Sequence, residues 1–117
     1  MELVAESAMK ITAVIPIDGG STLVNEGNLG KYGKVFSRID LISNNASKNA
    51  GNFSGEARAL LEDGSAIGAT LQGVWKRVGS KITIHNHDDA SSGDQNYITA
   101  EAYMIEMQSN FKVLSMK

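Results

Sequence analysis

The chain has no cysteine and one proline among 117 residues. Without thiols there is neither a disulfide framework nor a thiolate metal site, which fits a reducing compartment. Basic residues are few and scattered, 11 Lys and Arg against 13 Asp and Glu, with a pI near 5.6. No block of positive charge exists to neutralise a run of phosphates, so nucleic acid is not an expected partner. No apolar run approaches the roughly 18 residues of a membrane span. The first seven residues, MELVAES, are acidic and lack the basic start and long apolar run of a signal peptide. A single domain over 1–117, soluble and cytoplasmic, with no membrane contact, is the expectation. A glycine-rich phosphate loop, a Gly-x-Ser-x-Gly elbow and a catalytic cysteine are all missing, which excludes the common routes to nucleotide binding and serine or cysteine hydrolysis. No cofactor is expected.

Twelve glycines are spread singly along the chain, the pattern of short elements joined by turns. Ile11, Ala13, Ile15 and Ile17 alternate with polar or smaller residues, predicting a first strand from Met9 to Asp18 in which Pro16 marks an edge. A short second strand follows over Ser21 to Glu26, and a long third one over Tyr32 to Ile42. After Gly79, Lys81 to His85 alternates again, with Ile82 and Ile84 on one face. Thr99 to Gln108 contains good helix formers as well as strand-like alternation; its β-like flanks favour a strand, with a helix as the alternative. About seven or eight short strands imply a barrel or sandwich. A chain of this size removes its edges most economically by closing one antiparallel sheet into a small up-and-down barrel.

Between Phe53 and Arg77, Asp63-Gly64 sits amid alternating apolar residues and predicts a hairpin with a two-residue type I′ turn. Glu62 would then face Ser65. In that register Phe53, Gly55, Ala57, Ala59 and Leu61 share a face with Val74, Gln72, Thr70, Gly68 and Ala66, bulky at its ends and hollow in the middle. The other face carries Glu56, Arg58, Leu71 and, just beyond, Trp75. The hollow face is assigned to the lumen, because unpaired charges are rarely buried fully.

Candidate chemistry lies on two mixed faces. Tyr32, Lys34, Phe36, Arg38 and Asp40 combine aromatics with an opposed charge pair; Asp40 would serve as general base with Arg38 lowering its pKa or holding an anionic oxygen. The alternative is a solvated cross-strand pair. Tyr97, Thr99, Glu101, Tyr103, Ile105 and Met107 form the second face. Turned inward, it makes Glu101 a buried carboxylate with a raised pKa, suited to proton transfer; turned outward, it leaves Ile98, Ala100, Ala102 and Met104 to form the core. His85 and His87 share a strand face beside Asp88 and Asp89, but no third histidine or following glutamate completes a metal motif, and no metal is assigned. Trp75 would either cap a barrel mouth or pack in the core.

The run Ala50-Gly51-Asn52-Phe53-Ser54-Gly55, preceded by a glycine-bounded long strand and followed by Asp63-Gly64-Ser65, resembles the small antiparallel barrels of the allene oxide cyclase and dirigent type. The likeness covers Gly30 to Gly79 and rests on glycine and turn placement. It implies an eight-stranded barrel with a mainly apolar lumen, often oligomeric, in which a reactive intermediate is held while it cyclises or couples. The expected function is therefore a cofactor-independent isomerase or cyclase acting on a hydrophobic small molecule. Asp40 or Glu101 would transfer protons, Arg38 would stabilise an anion, and Tyr32, Phe36, Phe53, Thr70, Gln72, Trp75 and Tyr103 would line the ligand. The alternatives are a calycin-like carrier and an assembly protein without a cavity. A carboxylate inside the cavity discriminates the first two, since an apolar carrier would avoid an unpaired buried charge.

Overall fold

The structure is a computed structural model and describes residues 1–116. Eight antiparallel strands join neighbour to neighbour and close into a barrel: β1 Glu2–Ile17, β2 Gly20–Asn28, β3 Lys34–Ser43, β4 Ala50–Leu60, β5 Ala66–Val78, β6 Lys81–Ala90, β7 Gln95–Tyr103 and β8 Gln108–Ser115. The closed antiparallel barrel is the expected architecture.

Closure depends on β1, which is longer than its alternation indicated. Its first part, Glu2 to Lys10, pairs with β8, and its second part, Met9 to Ile17, pairs with β2. Register shifts at Leu3/Ala5 and Ile11/Ala13 bend the strand between the two partners, as bulges do. Pro16 lies beyond the β8 ladder and pairs only with Ser21 on β2. A proline at such an edge costs no ladder hydrogen bond.

The β4–β5 hairpin departs from the expected register by one residue. Leu60 pairs with Ala66 and Phe53 with Gly73. Asp63 keeps a negative φ, so the type I′ turn does not form; Gly64 alone takes the left-handed conformation, at φ 87°. The Gly64 amide donates to the Leu61 carbonyl and the Leu61 amide to the Ser65 carbonyl, each at 3.0 Å. This is a type I turn closed by a left-handed glycine, the three-residue alternative to the tighter loop. Asp63 Oδ1 reinforces it by accepting from the Ser65 amide and hydroxyl at 2.9 and 2.6 Å. The extra loop residue turns β5 over relative to β4. Phe53, Ala57 and Ala59 face inward as expected, but they meet Ile67, Ala69, Leu71 and Trp75, while Thr70, Gln72 and Val74 face solvent.

One further expectation is corrected, and the strand favoured over a helix for the C-terminal segment forms. Tyr32 belongs not to β3 but to a 3-10 turn, Gly30–Tyr32, bounded by Gly33 at φ 70°, so its side chain leaves the face of Lys34 and Phe36 and becomes buried. The C-terminal segment contains no helix: β7 and β8 are strands joined by a turn through Met104 to Met107. Ile98, Ala100 and Ala102 supply its core face, and Thr99, Glu101 and Tyr103 lie on the other.

Two apolar clusters fill the lumen. Ile11, Leu23, Ile39, Leu41, Phe53, Leu71, Trp75, Ile82 and Ile84 pack one half. Met9, Leu29, Tyr32, Val35, Ile98 and Val113 pack the other. The Trp75 indole N–H donates to the Ile42 and Asn52 carbonyls at 3.2 and 3.1 Å, which satisfies the one polar group of a buried anchor.

Candidate functional site

The alternation of β6 places Ile82, Ile84, Asn86, Asp88 and Ala90 on the inner face and His85, His87 and Asp89 outside. The inner face becomes polar halfway along the strand. There it borders an internal cavity of about 70 Å³, walled by small residues on β4 and β5 (Ala57, Ala59, Ala69) and by Phe53, Leu71, Phe111 and Val113. Ala57, Ile67, Ala69, Asp88 and Ala90 point inward yet stay only half-buried, so solvent reaches them through the lumen mouth. The mouth lies at the end carrying the β2–β3, β4–β5 and β6–β7 connections. At the opposite end Trp75 with Leu23, Leu41 and Ile82 floors a second, wider and more open hollow of about 420 Å³, which Lys48 and Arg77 border.

Four polar side chains enter the smaller cavity. Asn25 on β2 donates to the Ser37 hydroxyl on β3 at 3.4 Å. Asn86, 4% exposed, has an Nδ2 group with no hydrogen-bond partner, the one such buried side-chain atom among the described residues. Its neighbour on β5 is Gly73; a Cβ there would lie 2.7 Å from that of Asn86, so the glycine allows the close approach of β5 to β6 at this point. Asp88 is the carboxylate of the cavity. Burial pushes its pKa above the usual value, although the Asn96 side chain and backbone amide favour the ionised form; the amide contact to Asp88 Oδ1 is 3.1 Å. Desolvation prevails, as it does for a carboxyl held against an apolar wall.

One side of the mouth is closed by the 3-10 turn. The Tyr32 hydroxyl donates to Asp94 Oδ2 at 2.8 Å and accepts from Asn96 Nδ2 at 3.0 Å, and Lys31 Nζ lies 3.3 Å from the same Asp94 oxygen. This ties the β2–β3 connection to the β6–β7 turn.

The residues expected to carry chemistry divide between inside and outside. Tyr32 and Phe53 line the cavity. Trp75 is inside but faces the opposite hollow. Asp40 and Arg38 lie on the outer face of β3, paired with each other at 3.6 Å and half-exposed, and Asp40 accepts from the Thr22 hydroxyl at 2.6 Å. Phe36, Thr70 and Gln72 are exposed on the same outer surface, with the Lys34 ammonium over the Phe36 ring. Glu101 and Tyr103 are also outside. The Tyr103 hydroxyl at 2.9 Å and the Lys81 ammonium at 3.3 Å hold Glu101 below its ordinary pKa, as befits the outward of the two orientations left open by the sequence. These residues are outside because both mixed strand faces turn away from the core once the strands pair. His85 and His87 flank Tyr97 on the exterior, with His85 Nδ1 2.7 Å from its hydroxyl. Among the described residues no group of three or more His, Asp or Glu is placed to hold a metal ion.

Asn86 and Asp88 were legible in principle, since they continue the Ile82, Ile84 alternation. The expected strand, Lys81 to His85, stops short of them, and the polar run from Asn86 reads as a loop, whereas β6 continues to Ala90. No helix of the described residues is long and apolar enough to cross a membrane. No protein-family model matches the chain, and neither the curated proteins nor the solved structures compared with it contain a match.

Proposed function

We propose that the barrel binds a small, mainly apolar molecule in the lumen and rearranges it by moving a proton, as a cofactor-independent isomerase or cyclase in which Asp88 is the proton-transfer group. The observation that carries this reading is a carboxyl inside an apolar cavity with its pKa raised by burial. A carrier of apolar ligands gains nothing from such a group, whereas an acid–base catalyst works best with a pKa moved toward the operating pH. Asp88 thus takes the part that the sequence assigned to Asp40 or Glu101. The walls are Tyr32, Phe53, Ala57, Ala69 and Phe111.

Size narrows the ligand. An enclosed dry cavity of about 150 Å³ holds benzene, and this one measures about 70 Å³. The molecule is therefore smaller than benzene, or slender with one end projecting through the mouth.

Native mass spectrometry of freshly purified protein would identify a retained molecule and also show whether the barrel assembles with itself. Incubating that molecule with the protein in D₂O then separates enzyme from carrier. Deuterium incorporation by the wild type and not by Asp88→Asn is the expected result. Release of unlabelled molecule from both would leave the carrier reading in its place.

A further inference from the structure

The unpartnered amide of Asn86 stands out because leaving it unpaired lowers stability. A buried N–H donor without an acceptor loses its water and gains nothing in return, and a leucine of similar size would carry no such penalty. Asn86 is on the same inner face as Asp88, two residues along one strand, which sets their Cα atoms about 6.6 Å apart. Both border the same cavity. Asn86 lies deeper and Asp88 nearer the mouth, because β6 runs from the Trp75 floor toward the rim at Ala90.

We propose that Asn86 and Asp88 form a recognition pair for a small carbonyl compound, in which Asn86 Nδ2 donates to the carbonyl oxygen and Asp88 takes a proton from the adjacent carbon. The inference rests on the lumenal site described above and names its substrate class. Nδ2 can only donate, so the ligand must supply an acceptor. A carbonyl oxygen does so and brings no hydrogen of its own. A hydroxyl would direct its own O–H to Asp88 and so occupy the carboxylate that the proton transfer needs.

The step balances within the substrate and Asp88. The carboxylate accepts the proton from the carbon beside the carbonyl. The C–H electron pair becomes a C=C bond, and the carbonyl π pair moves onto oxygen, where the Asn86 N–H stabilises the developing charge. Asp88 then returns the proton, either to the same carbon, which gives exchange with solvent, or to a conjugated carbon, which gives an isomer. No oxidant or reductant enters.

Butanone and its methylene analogue, in which =CH₂ takes the place of =O, test the pair on the full chain. NMR titration is expected to shift the amides of Asn86, Asp88, Ala57 and Ala69, with the ketone binding about tenfold more tightly, the worth of one hydrogen bond. Asn86→Leu should bind both probes equally without loss of melting temperature. In D₂O the wild type should accelerate exchange of the butanone protons beside the carbonyl, and Asp88→Asn should not. If both probes shift the lumen amides equally in the wild type, the lumen binds small molecules but the carbonyl assignment is overturned. If the ketone preference survives in Asn86→Leu, or exchange survives in Asp88→Asn, the assigned residue roles are overturned. If neither probe shifts any lumen amide, the assignment falls together with the lumenal site.

Discussion

The Tyr32 hydroxyl donates to Asp94, 62 residues further along the chain, and so fastens the 3-10 turn of one connection to the turn between β6 and β7. Its ring lines the cavity while its hydroxyl also accepts from Asn96, whose backbone amide holds Asp88. Tyr32→Phe keeps the ring and removes both bonds. It should cost about 1–3 kcal/mol, the range for stranding a buried polar partner. Hydrogen exchange should quicken at Leu29 to Gly33 and leave the β3–β4 ladder unchanged.

Asp88 couples folding to pH. Its pKa is higher in the folded protein than in the unfolded chain because burial disfavours the charge. Its favourable contribution is thus fully present below the unfolded-state value and is lost as pH rises through the folded-state value. Asp88→Asn removes that loss. The variant should melt above the wild type at about pH 7 and show no advantage near pH 3, where the wild-type carboxyl is protonated too. A gain in stability together with a loss of proton exchange would be the signature of a functional group held at a cost to the fold.

Glycines of β5 should differ sharply. A Cβ at Gly73 would stand 2.0 Å from the His85 carbonyl oxygen, so Gly73→Ala must push β5 and β6 apart and should destabilise by about 1–3 kcal/mol, the range of forced overpacking. At Gly68 the nearest atom is 3.6 Å away, on the Arg58 side chain. Gly68→Ala should stay within about 0.5 kcal/mol of the wild type. Equal midpoints for the two in urea denaturation would contradict the strand spacing.

Filling the cavity should trade binding for stability. Ala69→Val places two extra methyl-sized groups against the 70 Å³ space, which should raise stability by about 0.5–1 kcal/mol, as cavity filling does, and abolish ligand-induced shifts at Asn86. By contrast Arg38→Ala and Asp40→Asn alter only the outer face, so ligand shifts in the lumen should be those of the wild type.

Much of this fold follows from local pattern. The strands β3, β4 and β7 and the first half of β6 follow from alternation, and the Asp63-Gly64 turn lies where the sequence indicates. The small residues Gly55, Ala57 and Ala59 mark the hollow side of β4 correctly. The site itself was only half legible. Tyr32 and Phe53 line the cavity, but Thr70 and Gln72, expected in the lumen from a turn one residue too short, lie outside together with Asp40 and Glu101. Alternation separates two faces without saying which is buried, and a mixed face such as Tyr97, Thr99, Glu101 and Tyr103 carries enough apolar area to serve either way.

By itself, then, the sequence determined a barrel-forming set of strands, because side-chain period and turn chemistry are local properties. The tertiary structure alone decided what lies inside. The three-residue loop at Glu62 to Gly64 turned β5 over, and the bent β1 brought β8 beside the start of the chain to close the wall. Inside and outside are properties of the closed cylinder. They depend on which face of every strand gives the greatest total burial when all eight pair, and that total sums contacts between residues as distant as Met9 and Ser109.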